Sequence, residues 1–284
     1  MAEQKTYFIR GDGGVIDLSD HTNYDVRPGI NGRWMPKLEY VSTPVYTFPG
    51  EVIELDKTPP REFELPLIVR DGTQRGGANS MRYNIRELNR AFSYDIGMPK
   101  IVTTAPDGTM RAISCLYEDG MDFEESTNTG RAEYFYMFVI TLIAHSPFWY
   151  NPVENEIWID TKTTGEMGIS NLNTPFTAYN AGDVPTWPIW ALCGSFDEVE
   201  ILNTTTGEYM DFSSSVSSSQ RIYIDTRAPR DVLLNHNTSV FADLTTDSTP
   251  FSLMPGENKI VPIFTNPGSG AELRLRWVDQ YFGV

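Results

Sequence analysis

The stretch Tyr179-Asn-Ala-Gly-Asp-Val-Pro-Thr-Trp-Pro-Ile-Trp190 follows a change in composition and combines a turn signal with two prolines and two tryptophans. Its Asn-Ala-Gly-Asp segment contains residue types that favour tight turns. Pro185 and Pro188 have no backbone N–H, so a strand that includes them cannot be hydrogen-bonded on both sides at those positions. The stretch therefore predicts a loop that leads into an edge strand carrying Trp187 and Trp190.

Trp187 and Trp190 allow two interpretations. Tryptophan side chains are mostly buried in globular proteins, which favours a place in the core of their own domain. Tryptophans on an edge strand can instead form a surface that a glycan or a partner protein covers. We expect the core interpretation and keep the contact with a glycan or a partner as the alternative.

The chain from residue 151 onward is expected to be all-β. Runs of alternating, β-branched or aromatic residues recur at intervals of roughly 8–12 residues, with turn residues between them. The predicted strands are residues 156–160, 187–193, 198–202, 209–212, 221–225, 232–234, 240–244, 251–254, 258–264 and 271–278. Many short strands without a helical pattern are typical of a β-sandwich or jelly roll.

The first 150 residues also predict mainly β structure, with strands at residues 37–48, 62–69, 101–104, 110–117 and 131–144. Residues 105–108, Ala-Pro-Asp-Gly, predict a hairpin turn between two of these strands, because proline fixes φ and glycine accepts a positive φ. We expect a β-sandwich or split-barrel domain that contains one helix.

That helix is predicted near residues 81–94. Apolar residues at helical spacing lie between two capping candidates and two stop signals. These are Met81, Ile85, Leu88 and Phe92, preceded by Asn79 and Ser80 and followed by Gly97 and Pro99.

The same helix carries a basic stripe, Arg82, Arg86 and Arg90, at successive steps of four residues. A solvated helix face is the simpler interpretation. Within the helix only Glu87 is placed to pair with the stripe. The alternative is therefore a subunit interface with an acidic neighbour, such as another copy of the same chain.

A domain boundary is expected within residues 145–152, His-Ser-Pro-Phe-Trp-Tyr-Asn-Pro, where two prolines and an aromatic triplet end a long apolar strand. With 284 residues the chain exceeds the roughly 100–200 residues of one domain. We expect an N-terminal domain at residues 1–150 and a C-terminal domain at residues 151–284.

Charge and composition exclude several classes of partner. The net charge of −16 repels phosphate backbones and anionic lipid surfaces, so specific nucleic-acid binding and electrostatic membrane binding are not expected. Two cysteines, Cys115 and Cys193, are too few for a disulfide scaffold and are expected as buried thiols. We also expect no cleaved signal and no membrane insertion, since no run of about 18 apolar residues occurs.

The residue pattern predicts no catalytic, metal-binding or cofactor-binding residues. The three histidines, His21, His145 and His236, lie far apart in sequence, and none has another histidine or cysteine at ligand spacing. Nucleophile-elbow, zinc-protease and phosphate-loop motifs do not occur. The acidic residues that cluster at turns lie beside Ser, Thr and Gly, which does not favour the raised pKa of a general acid. We therefore expect a protein that is not an enzyme.

Several landmarks, taken in order, resemble the distal tail protein family of long-tailed siphophages. They are residues 138–150 (Phe-Val-Ile-Thr-Leu-Ile-Ala-His-Ser-Pro-Phe-Trp-Tyr), residues 179–188, residues 203–207 (Asn-Thr-Thr-Thr-Gly), residues 222–226 (Ile-Tyr-Ile-Asp-Thr) and residues 251–258 (Phe-Ser-Leu-Met-Pro-Gly-Glu-Asn). Looser matches lie at residues 60–67, the helix and residues 106–112. Ser146-Pro147 stands where the family usually has Asp-Pro, at a structural position.

The resemblance implies a galectin-like C-terminal sandwich and a mechanical role in the virion, at the distal end of the tail. Family members form hexameric rings that join the tail tube to the tail-tip hub, which is a tail-associated lysin-like protein, and often to receptor-binding proteins. The resemblance thus implies a homo-oligomer whose N-terminal domains form the ring, with the major tail tube protein and the hub as partners. DNA would pass through the ring.

A carbohydrate-binding module or adhesin for host cell-wall glycans is the alternative function. Galectin-like sandwiches stack sugars on an exposed tryptophan beside polar groups. The His-x-Asn-x-Arg and Trp-x-x-Glu-x-Arg patterns of sugar-binding galectins are not apparent in this sequence, which weighs against it.

Overall fold

The computed structural model of the protein describes residues 5–44, 51–72, 77–93, 97–122, 135–161 and 172–284. The predicted mainly-β fold is confirmed, and the described residues contain one α-helix. The chain divides into two compact units, Met1–Pro152 with Tyr281–Val284, and Val153–Gln280. The last four residues, which the sequence placed in the C-terminal domain, thus belong to the first unit.

The elements follow one another along the chain as short strands with one helical interruption. Up to residue 152 they are β1 (Lys5–Ile9), β2 (Val15–Asp17), β3 (Tyr24–Val26), β4 (Glu39–Pro44), β5 (Glu51–Lys57), β6 (Arg61–Arg70), α1 (Gly77–Ala91), β7 (Lys100–Thr104), β8 (Met110–Ser114), β9 (Leu116–Asp119), β10 (Phe135–Ala144) and β11 (Trp149–Tyr150). Beyond it they are β12 (Asn155–Asp160), β13 (Phe176–Asn180), β14 (Ile189–Cys193), β15 (Glu198–Asn203), β16 (Glu208–Phe212), β17 (Arg221–Asp225), β18 (Asp231–Leu234), β19 (Thr238–Ser239), a 3-10 turn (Phe241–Asp243), β20 (Gly256–Thr265), β21 (Glu272–Trp277) and β22 (Gln280–Tyr281).

Two open sheets enclose the core of the first unit. Their strand orders are β2-β1-β7-β8-β11-β22 and β3-β6-β10-β9. The longest pairing joins β6 and β10, which run antiparallel over ten residue pairs. Phe63, Leu65 and Leu67 of β6 are buried, whereas the neighbouring Glu62 and Glu64 are exposed. This alternation is the period-two pattern of a strand with one face on a core.

The predicted helix is present as α1, and its predicted apolar face is confirmed. Met81 and Leu88 are buried, Ile85 is half-buried, and Phe92, just past the helix end, packs in the same core. The predicted start is wrong, because the helix begins at Gly77 and includes the expected capping residues at positions 79 and 80. Position 94, the predicted end, lies outside the described residues.

The predicted strand at residues 110–117 is two strands that belong to different sheets. β8 pairs with β7, whereas β9 pairs with β10, and the buried Cys115 lies between them. The Cys115 N–H donates to the carbonyl of Pro99, 3.1 Å away, and takes no part in the pairing of either strand. The predicted hairpin turn before β8 is confirmed by a positive φ of 87° at Gly108.

The second unit is a β-sandwich, as the sequence predicts. Its sheets have the strand orders β12-β21-β14-β17-β18-β19 and β13-β20-β15-β16. Residues of both sheets share one core, in which Trp190 and Trp277 are the largest side chains. Trp190 and Phe251 meet edge to face, with ring centroids 5.7 Å apart.

The edge-strand prediction for the opening stretch is wrong. β14 begins at Ile189 and is paired along its length with β17 on one side and β21 on the other. Pro185 and Pro188 precede the first residue of β14, so their missing N–H groups remove no hydrogen bond from that strand's two ladders. The carbonyl of Pro188 accepts from the N–H and the hydroxyl of Thr226. The prolines thus shape the approach to a central strand and do not protect an edge.

Two further predicted strands are absent from the described structure. Residues 240–244 contain a 3-10 turn at Phe241–Asp243. Residues 251–254 form a single bridge, in which Leu253 and Thr186 exchange backbone hydrogen bonds. Alternation over four or five residues does not separate a strand from an extended loop, which explains both errors. Parts of the predicted strands at residues 37–48 and 131–144 lie outside the described residues.

Candidate interaction surfaces

The basic stripe lies on the solvent side of α1. Arg82, Arg86 and Arg90 are all exposed, on the face opposite the buried Met81 and Leu88. The arrangement follows from residue spacing, because steps of four keep side chains on one helix face. Tyr83 adds an apolar ring to this surface and is 63% exposed. Whether another subunit covers the stripe stays a prediction.

Glu87, the residue expected to pair with the stripe, lies instead beside Arg10, with Oε2 3.8 Å from an Arg10 guanidinium nitrogen. The side chain of Arg10 also binds Asp12. Hydrogen bonds from Arg10 and from the Gly14 N–H lower the pKa of Asp12 to about 2, and the charge of Arg90 adds to the effect. Among the residues that the structure describes, Arg82 and Arg86 have no ion-pair partner.

A second candidate surface was missed by the sequence reasoning. Strands β4 and β5 form a two-stranded sheet of their own, and four of its apolar side chains are 51–64% exposed. They are Tyr40, Val41, Val52 and Ile53. The register places Val41 and Val52 on one face and Tyr40 and Ile53 on the other. A hairpin with apolar residues on both faces is marginal in water, so this one is a candidate for contact with another chain.

Trp190 cannot form the glycan or partner contact that was kept as an alternative. It is 0% exposed at the centre of the second unit's core. The physical reason is the period of β14, which directs Trp190 and Leu192 inward and Ile189 and Ala191 toward the other face. The core interpretation is therefore correct for this residue.

Trp187 lies before β14 and is 39% exposed. The guanidinium of Arg230 lies 5.1 Å from its ring centroid, within range of a cation–π contact. A hollow of about 120 Å³ opens beside the ring, and Glu154, Arg227 and Arg276 contribute its charged groups. An accessible aromatic ring beside paired charges can hold a sugar or a planar polar group.

The described residues show no cluster of three metal-ligating side chains. The His21 Nδ1 lies 2.9 Å from an Asp25 oxygen, and the ring of His236 stacks on Tyr223 at 3.4 Å. Both cysteines are buried and unpaired, and burial raises the pKa of the Cys115 thiol to about 12. No described helix has the length and apolar character needed to cross a membrane.

Comparison with known families relates the second unit to phage tails. Residues 181–281 match the family model of the siphovirus-type tail component, C-terminal domain. The matched range begins within the opening stretch and includes the landmarks at residues 203–207, 222–226 and 251–258. The predicted resemblance is thereby confirmed over this range.

Solved structures extend the likeness of fold to the whole chain. The crystal structure of the SPP1 Dit protein, described as a hub of the adsorption apparatus in phages that infect Gram-positive hosts, aligns with a TM-score of 0.66 at 17% identity. The alignment covers 98% of this chain and 99% of that one. A chain of the phage P2 baseplate in its activated conformation aligns with a TM-score of 0.55 at 8% identity, over 100% of both chains. No curated protein sequence matches significantly.

The matched model indicates the kind of role that the second unit has. It describes a tail component of the siphovirus type, so residues 181–281 are similar to a domain of the phage tail.

Proposed function

We propose that this chain is a distal tail component of the siphovirus type and forms a hexameric ring at the distal end of the tail tube. The ring joins the tube to the tail-tip hub and leaves a passage for DNA. The observation that carries the proposal is the hairpin of β4 and β5, whose apolar side chains have no cover within the described part of the first unit. A ring of identical copies covers such a surface, because each copy offers a different face to its next neighbour.

The arginines of α1 supply the second element of the proposed subunit contact. Arg82 and Arg86 have no ion-pair partner among the described residues, while the chain as a whole carries −16. A neighbouring copy therefore offers many carboxylates to this helix face. Charge pairs of this kind steer association and fix register more than they add affinity.

The same net charge suits a passage for DNA. An acidic bore repels phosphate groups and prevents the nucleic acid from adhering to the wall. The tube protein on one side of the ring and the hub on the other are the proposed axial partners. Receptor-binding proteins are proposed to attach through the second unit.

The ring is tested by native mass spectrometry and negative-stain microscopy of the full chain. We expect hexamers for the wild type and mainly monomers for Arg82→Glu with Arg86→Glu at moderate salt. Lys259→Glu with Arg221→Glu changes the net charge equally at exposed positions of the second unit and should leave the hexamer intact. Hexamers that survive the α1 reversal would exclude the helix from the interface, and a monomeric wild type at micromolar concentration would argue against the ring itself.

A second candidate function, binding of host cell-wall glycans, is supported by Trp187. Its exposed ring borders the hollow that contains Glu154, Arg227 and Arg276. A glycan array probed with the full-length protein and with Trp187→Ala tests this function. Binding that disappears in the variant supports it. Trp158→Ala is the matched control, because Trp158 is 43% exposed and also lies under an arginine, Arg274.

A further inference from the structure

A cavity of about 540 Å³ opens beside β3 in the first unit, within the roughly 300–1,000 Å³ range of ligand sites. Its lining combines positive charge with apolar surface, which is unusual in a chain of net charge −16. The residues that define it are His21, Asp25, Arg27, Ile30, Arg33 and Trp34. None of them belongs to the surfaces described above.

Asp25 is the one carboxylate in the described lining, and its charge is already matched. Its oxygens lie 2.9 Å from the His21 Nδ1, 3.0 Å from Arg70 and 3.4 Å from Arg27. Burial acts to raise the pKa of Asp25, but the hydrogen bonds from Arg70 and His21 outweigh it and leave the pKa below its usual value. The remaining charge of the cavity is positive.

Arg33 carries that positive charge without a matching carboxylate in the described structure. Its guanidinium approaches only two neutral acceptors there, the hydroxyls of Thr6 at 3.3 Å and Thr103 at 3.5 Å. Burial lowers the pKa of Arg33, which shows that its charged form has lost solvation. A half-buried cation in this state gains from any carboxylate that enters the cavity.

The loop that presents Arg33 and Trp34 is anchored from the protein interior. One guanidinium nitrogen of the buried Arg61 donates to the carbonyls of Gly32 at 3.0 Å and Trp34 at 2.7 Å. The indole N–H of the buried Trp149 donates to the carbonyl of Arg33 at 3.1 Å. Three successive carbonyls are therefore fixed by core side chains.

Anchoring of this kind holds the exposed side of the loop in one conformation. Trp34 is nevertheless 66% exposed, the largest exposure of any tryptophan that the structure describes. A rigid aromatic side chain loses little conformational entropy when a ligand covers it. The loop thus presents a fixed ring next to a cation that lacks a counterion.

We propose that this cavity binds an acidic peptide segment of another chain, with a carboxylate on Arg33 and Arg27 and an apolar side chain against Trp34 and Ile30. A nucleic acid is disfavoured because the net charge of the protein repels an extended polyanion. An inorganic anion would leave the apolar half of the cavity unused. The site does not depend on the ring, since each copy contains it complete.

The test uses the full chain at low salt and two capped hexapeptides, Glu-Leu-Glu-Glu-Leu-Glu and its glutamine counterpart, in calorimetric titrations. We expect measurable binding of the acidic peptide alone, weakened about tenfold or more by Arg33→Gln. Arg27→Gln gives the same test at a more exposed position, and Trp34→Ala should also weaken binding. Arg221→Gln removes an equal charge at an exposed position of the second unit and should bind as the wild type does.

Several outcomes would overturn the proposal. One is equal affinity for the two peptides, and another is an unchanged affinity in both Arg33→Gln and Arg27→Gln. Phosphate that binds as tightly as the acidic peptide would reduce the cavity to a simple anion site. Absence of peptide binding, together with a change of oligomeric state in Arg27→Gln, would make a second copy of this chain the occupant.

Discussion

The two units of the chain differ in where they leave apolar and charged groups without partners. In the second unit the large aromatic side chains meet in one core, and the exposed apolar residues come from separate strands and loops. In the first unit, exposed apolar residues gather on the β4–β5 hairpin and on the loop of Trp34. The same unit carries the basic stripe of α1.

This difference makes the first unit the part of the chain where we expect contacts with other chains. A hairpin with apolar residues on both faces contributes little to the stability of an isolated chain. The second unit has the features of a self-sufficient sandwich, and it is also the part that the family model matches. The two units should therefore respond differently to equivalent substitutions.

The largest effect is expected from Trp190→Ala. The change removes a fully buried ring from the core of the second unit and should lower its free energy of unfolding by about 3–5 kcal/mol. Guanidinium denaturation and scanning calorimetry should each show a shifted unfolding transition for that unit alone. Trp187→Ala, at a half-exposed ring, should cost less than about 1 kcal/mol. Equal losses in the two variants would contradict the assignment of Trp190 to the core.

The counterpart in the first unit is Arg61→Met. Arg61 donates to three backbone carbonyls, those of Gly32, Trp34 and Phe282, and the variant leaves them without these donors. We expect a loss of about 2–4 kcal/mol from the unfolding free energy of the first unit. Hydrogen exchange should also report faster opening around residues 32–34.

The exposed Arg27→Met serves as the control for Arg61→Met, and it should change stability by less than about 0.5 kcal/mol. A stable Arg61→Met variant with unchanged exchange would mean that the anchoring hydrogen bonds do not hold the loop.

A substitution in the β4–β5 hairpin should weaken self-association and leave the stability of the monomer unchanged. Ile53→Ser removes a side chain that is 64% exposed, so the monomer should keep its unfolding free energy within about 0.5 kcal/mol. Self-association measured by sedimentation velocity should weaken about tenfold or more if a neighbouring copy covers the hairpin. Ile263→Ser, at a residue 43% exposed in the second unit, is the matched control. Equal effects of the two substitutions would remove the distinction between the units.

The sequence could predict the longer elements, because their pattern of apolar and polar residues lies within one continuous stretch. The ten-residue alternation of β6 and the spacing of Met81 and Leu88 in α1 both rest on one face packing against a core. Family landmarks gave the class of the second unit. Short runs such as residues 240–244 failed because four or five residues satisfy a strand and a loop pattern equally.

The remaining features depend on contacts between residues that are far apart in sequence, which no local pattern contains. The central position of β14 follows from β21, about 80 residues downstream, which a reading of Pro185 and Pro188 alone could not supply. The anchored loop depends on Arg61 and Trp149, far away in sequence, reaching the carbonyls of residues 32–34. The adjacent β-branched residues Val52 and Ile53, which favour strand conformation, could have revealed the second strand of the hairpin.

The smallest effect is expected from acid, through Asp25 of the first unit. The pKa of Asp25 is lowered in the folded state, so its ionised form stabilises the fold at pH values above the ordinary aspartate pKa of about 3.9. That contribution is lost as the pH falls through the folded pKa. As the pH falls below about 4, the unfolding free energy of the wild type should therefore decrease more steeply than that of Asp25→Asn, which has no charge to lose. Parallel pH profiles for the two proteins would show that the contacts of Asp25 with Arg70 and His21 do not stabilise the first unit.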